Sequence, residues 1–231
     1  MKKLILGLAF AGSLMVNAQE KTKSTSPVTF GVKAGFNASV LTKYDGYDGY
    51  NNDQKLKPGF NAGVFVNIPV AEKFSVQPEL LFSQLGSKTE EKEEIYNLNS
   101  VSYRREAEYT KTLNYLAVPV MVQYNILPQL YVEAGPEFGF LLGGKNKGDV
   151  TNINTSGNTT STETTTFSGK IPMDLHNKFN FGIGIGAGYY FTQNFGVTAR
   201  FTAGITDIYK HNNGDAIRNN AFQVGVAYKF K

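Results

Sequence analysis

Strict two-residue alternation restricts this chain more than any other feature, and it is clearest over Asn219 to Lys231. Phe222, Val224, Val226, Tyr228 and Phe230 share one face of an extended segment there. Gln223, Gly225, Ala227 and Lys229 share the other. Successive side chains of a strand point to opposite faces, so one face is apolar and aromatic while the other is small or polar. A strand with lipid outside, a polar lumen inside and aromatics gathered at the membrane boundary has this pattern.

Seven earlier segments repeat it: 29–41, 57–68, 73–85, 112–126, 130–142, 176–191 and 195–208. In the first, Phe30, Val32, Ala34, Phe36, Ala38 and Val40 oppose Gly31, Lys33, Gly35, Asn37 and Ser39. The connections also alternate. Long stretches at 42–56, 86–111 and 143–175 and a medium one at 209–218 are interleaved with tight turns at 69–72, 127–129 and 192–194. Outer-membrane barrels have short periplasmic turns and longer outer loops. The expected fold is therefore all-β: one eight-stranded antiparallel up-and-down transmembrane β-barrel over residues 29–231. Closure satisfies every strand edge, as lipid requires. Pro78 lacks an amide donor and is expected at a bulge or unpaired position. The Glu90–Glu94 run is expected to be solvated, and the Thr, Ser and Asn tract from Thr151 to Ser168 to be a low-complexity loop.

The N-terminus carries an export signal. Lys2 and Lys3 form a charged start, Leu4 to Met15 an apolar run, and Val16-Asn17-Ala18 the cleavage positions. Residues 1–18 are expected to be a signal peptide and 19–28 a polar leader, with the mature protein in the outer membrane. The apolar run is well short of the roughly 20 residues a spanning helix needs. The chain has no cysteine, which excludes disulfides, thiolate metal sites, a cysteine nucleophile and a lipid-modified cysteine. Its formal charge of +4 includes the two signal lysines, so nucleic acid is not an expected partner.

Six charged residues fall on faces assigned to the lumen: Lys33, Glu79, Glu133, Glu137, Arg200 and Lys229. An eight-stranded barrel is narrow enough for side chains to fill it. Three cations against three anions suit a paired interior plug better than an ion path or a catalytic pair at Glu133 and Glu137, because buried charges must be paired. Phe30, Phe74, Tyr124, Tyr189, Phe191, Phe195, Tyr228 and Phe230 lie near the short-turn ends and are expected to form a periplasmic aromatic girdle. Gly182, Gly184, Gly186 and Gly188 have period two with no following helix. They fit a crowded lumen rather than a phosphate loop. His176 and His211 have no metal-ligand spacing, and no Ser, His and Asp constellation assembles. Neither catalytic, cofactor nor metal residues are expected.

Tyr115-Leu116-Ala117-Val118-Pro119-Val120, Pro78 to Gln84 with Gly86, Gly135-Pro136 and the ending Gly225 to Phe230 resemble the PorT-like outer-membrane β-barrel family common in Bacteroidota. The resemblance spans nearly the whole mature chain and implies an outer-membrane barrel. With the balanced lumen charges, the expected protein is a non-enzymatic barrel with a polar, mostly occluded interior. Its expected partners are the outer-membrane bilayer and the barrel-assembly machinery, with an unidentified ligand or protein at the outer loops. The family's founding member is linked to protein secretion, so a secretion-machinery component is one alternative. A small outer-membrane enzyme is another, requiring catalytic residues to converge at a loop end. A third is a soluble lipocalin-like carrier, in which the faces would be reversed.

Overall fold

The computed structural model describes residues 27–43, 50–98, 101–211 and 214–230. The signal peptide and most of the leader expected from the sequence lie outside these residues. Ten strands account for most of them: β1 Thr29–Leu41, β2 Tyr50–Lys55, β3 Lys57–Pro69, β4 Phe74–Leu98, β5 Val101–Asn125, β6 Leu130–Ser156, β7 Thr159–Lys170, β8 Phe179–Tyr190, β9 Phe195–Gly204 and β10 Asn219–Lys229. Every pairing is antiparallel. Eight strands close a ring in the order β1–β3–β4–β5–β6–β8–β9–β10, and β10 returns to β1 with Ala34 opposite Val226.

The ring strands differ greatly in length. A membrane-spanning strand needs about 9–11 residues, whereas β4 and β5 have 25 each and β6 has 27. The excess lies at the end opposite the tight turns. There β2 adds to the edge of β4, with Lys55 opposite Lys88, and β7 adds to β6, with Lys145 opposite Lys170. Residues 86–111 and 143–175 are thus mostly strand, correcting the expectation of long loops. The physical reason is visible in their own composition. Thr-rich and alternating segments suit a pleated surface, and each arm finds an antiparallel partner. Gly157 and Asn158 join β6 to β7 directly, with Ser156 opposite Thr159. Gly157 has φ of 58°, the left-handed first position that a two-residue hairpin of this kind requires.

Pro78 is not at a bulge. It stays in register opposite Val120, but the β3–β4 ladder skips Val66 and Asn67 beside it. The missing amide interrupts the ladder without shifting it. Register shifts occur elsewhere: one at Ile95, in the far part of β4, and one in β6. Between Asn114 opposite Gly143 and Tyr115 opposite Leu141, β6 has one extra residue, Leu142. Its alternation reverses from there on.

The apolar face of every ring strand points outward. Phe36, Phe60, Leu80, Val122, Phe140, Ile185, Phe201 and Val224 are all exposed. Their polar counterparts are enclosed: Lys33, Asn37, Gln77, Glu79, Gln123, Glu133, Arg200 and Gln223 are all buried. A soluble carrier would have the opposite arrangement. An apolar outer belt around a polar interior is the arrangement lipid demands.

Candidate functional site: a plugged lumen

Alternation brings side chains from β1, β3, β4, β5, β6 and β9 into one narrow interior, and four of the charged residues singled out from the sequence meet at its centre. Glu79 accepts from Lys33 Nζ at 2.8 Å, from Gln77 Nε2 at 2.9 Å, and from Arg200 Nη1 and Nη2 at 2.9 and 2.7 Å. The Arg200 guanidinium also donates through Nε to Glu133 Oε1 at 2.7 Å. Gln123 Nε2 donates to the other oxygen of Glu133 at 3.0 Å. Charge-assisted and two-pronged contacts of this kind are the strongest hydrogen bonds a protein makes.

An amide and hydroxyl layer extends the network towards the tight-turn end. Asn67 Nδ2 donates to Gln123 Oε1 at 2.9 Å and to Gln77 Oε1 at 3.2 Å, with Ser75 Oγ 3.0 Å away. The remaining two charged residues stand apart. Glu137 is buried; among the described residues only Thr202 Oγ1 donates to it, at 3.3 Å, and no cation lies within ion-pair distance. Lys229 does not reach the carboxylates. Its ammonium lies 3.9 Å from the centre of the Tyr190 ring at the tight-turn mouth, over a cavity of about 470 Å³. Placing Lys229 in the charge network is therefore corrected: it is too near the strand end, and the ring of Tyr190 takes it instead.

The glycines of β8 make room for this centre. A β-carbon on Gly186 would stand 3.1 Å from Glu133 Oε1, and one on Gly188 would collide with the Tyr131 ring. The opposite half of the lumen is apolar. Leu41, Leu85, Leu113, Tyr115, Leu141, Ile171, Ile208 and Ala221 pack into a plug above the charges. Their inward parity could have shown this, since Leu41, Leu85 and Leu113 fall on the polar face of their segments, but the charges dominated that face.

A buried cation caps the plug. The Lys111 amine donates to the Tyr209 hydroxyl, and the His176 ring lies 4.8 Å from that of Tyr209. Nδ1 of His176 is 2.8 Å from the Pro172 carbonyl. Burial pushes the Lys111 amine down to about 8 and also lowers His176. At the other end of the barrel the eight aromatics proposed as a girdle are all exposed, and several touch: Phe74 with Tyr124 at 5.0 Å, Tyr189 with Phe191 at 5.2 Å and Tyr228 with Phe230 at 5.7 Å between ring centres.

An antiparallel ring of eight strands with an apolar exterior and a filled interior defines an outer-membrane-type β-barrel. The sequence agrees: residues 17–210 match the family described as outer membrane protein beta-barrel domain, and the chain belongs to that family. No curated protein matches it. Similar solved structures include the attachment invasion locus protein Ail of Yersinia pestis, at 14% identity and a TM-score of 0.42, covering 89% of this chain and 100% of that one. OprG of Pseudomonas aeruginosa matches at 12% identity and a TM-score of 0.39, covering 87% of this chain and 95% of its own. The outer membrane protease OmpT of Escherichia coli matches at 10% identity and 0.35, covering 92% and 100%.

Proposed function

We propose that this is a non-enzymatic, PorT-like barrel of the outer membrane whose interior is a structural plug and whose long outer hairpins carry a surface-interaction role. The observation that carries this is the lumen itself. The Lys33–Glu79–Arg200–Glu133 cluster spans it, and the apolar plug closes it above. Groups so fully engaged with one another are poorly placed to bind substrate or to line an ion path. Export through residues 1–18, assembly by the barrel-assembly machinery and an outward direction for β4–β7 complete the proposal. Its likeness to the family's secretion-linked member rests on short motifs and leaves a machinery role as the second choice.

Planar bilayer recordings test it. The purified barrel should insert without steady conductance, and Arg200→Ala should at most add brief openings. Stable ohmic channels from the unaltered protein would refute an occluded interior.

A further inference from the structure

Four lysines are spread along the β6–β7–β8 side of the barrel wall just beyond its apolar belt. Lys145 stands directly opposite Lys170, Lys147 follows two residues on, and Lys178 accepts a backbone bond from Leu141 through its carbonyl at 2.8 Å. All four are exposed, and among the described residues none forms an ion pair. The nearest carboxylate in register, Asp149, accepts from Thr166 at 2.6 Å. Like charges placed directly opposite one another destabilise a sheet unless an anion lies between them.

Two further features select the anion. The bulge at Leu142 reverses the alternation of β6, so that Lys145 and Lys147 point out of the barrel rather than into it. Directly beneath, Phe138, Phe140, Phe179 and Phe181 form a contacting aromatic patch on the outer face, with ring centres 5.4–6.4 Å apart. Lys145 is five residues beyond Phe140 along β6, about 16 Å of strand before tilt. That is within reach of a headgroup layer for a side chain that extends back towards it.

We propose that this wall holds a phosphate-bearing lipid of the outer leaflet. Its phosphates would sit among Lys145, Lys170 and Lys178, with Lys147 flanking, and its acyl chains would lie against the four phenylalanines. The site rests on the outward orientation proposed above for β6 and β7.

The test uses the full chain, first inserted into phosphatidylcholine vesicles and then presented in detergent to lipid A carrying two phosphates or none, with retention read by native mass spectrometry. The phosphorylated form should be retained preferentially. The variant Lys145→Gln/Lys170→Gln/Lys178→Gln should lose about 100-fold in affinity, at about fivefold per lysine. The equal charge change Lys43→Gln/Lys92→Gln/Lys210→Gln should lose little, and millimolar inorganic phosphate should not displace the lipid. Equal retention by the two triple variants, no preference for phosphate, or displacement by free phosphate would each overturn the site. Failure to insert into vesicles would overturn the membrane barrel itself, which separates the two conclusions.

Discussion

Replacing Arg200 with methionine tests the plug most directly. The guanidinium makes three short hydrogen bonds, two to Glu79 and one to Glu133, all buried. Methionine keeps much of the volume and removes all three. Lys33 and Gln77 remain on Glu79, so that carboxylate keeps a cation. Glu133 keeps only Gln123. The central cluster, counted with Glu137, goes from two cations and three carboxylates to one and three. Removing one partner of a buried ion pair costs about 3–5 kcal/mol, chiefly because the other charge stays buried and unpaired. Retention of Lys33 on Glu79 places Arg200→Met towards the lower end, at about 3 kcal/mol.

The same logic fixes two companion variants. Glu133→Gln in the Arg200→Met background removes the stranded charge, so the double variant should be less destabilised than the sum of the singles by about 1–3 kcal/mol. Glu137→Gln removes a carboxylate with no described cation beside it, and it should be neutral or stabilising. The assay is urea titration of the barrel folded in detergent or thin bilayers, followed by far-ultraviolet circular dichroism and by the mobility shift between folded and unfolded bands. Tryptophan fluorescence is not available, as the chain contains none. An Arg200→Met barrel within 1 kcal/mol of the parent, or a double variant worse than additive, would refute a charge-paired plug.

Other expectations follow from the belt, the turns and the cap. Val224 is exposed in mid-strand between Phe36 and Ala199, so Val224→Arg should cost about 2–4 kcal/mol of folding in lipid, while Val224→Leu should cost almost nothing. Because the chain has no native cysteine, single introduced thiols report orientation cleanly. Ser156→Cys should react with an impermeant maleimide on intact cells and Glu72→Cys only after the outer membrane is permeabilised; the opposite pattern would invert the barrel. Lys111 is held to about 8 in the cap against an ordinary 10.5, so between those values the unfolded chain binds more protons than the folded one. Stability should therefore rise with pH from about 8 to 10.5, and Lys111→Met should flatten that rise in a thermal melt.

What the sequence made legible followed from strict local rules. Period-two alternation identified the ring strands, and the tight turns at Pro69, Pro128 and Gln193 supplied their order, because short connections force neighbouring antiparallel pairs. The lengths of β4 to β7 were not legible in the same way. Residues 86–111 and 151–168 are charged or Thr-rich on both faces, so burial leaves no one-sided mark on them, and polar sheet above a membrane looks like loop. The bulge at Leu142 was hidden as well, since it appears in the sequence only as two glycines after a run of leucines. Lys33, Glu79, Glu133 and Arg200 were found together because inward parity and charge coincide. Parity alone could not tell depth, and depth is what separates Lys229, at the mouth with Tyr190, from the central carboxylates.

Depth also explains why recognition should lie outside. Along the barrel axis the interior changes from the aromatic mouth with its cavity, to amides, to ion pairs, to aliphatic side chains, to the Lys111 cap. The amides of Gln77 and Gln123 hold the central carboxylates, and opening that layer would leave both unpaired in a narrow space. A rigid wall of this kind does not vary its interior cheaply. Its outer hairpins bear less of that constraint, since β7 and the ends of β4 to β6 beyond the Lys111 cap are mostly exposed or half-buried. A stiff platform that carries polar strands beyond the apolar belt fits the surface-interaction role proposed above, with the plug supplying the stability that holds the hairpins up.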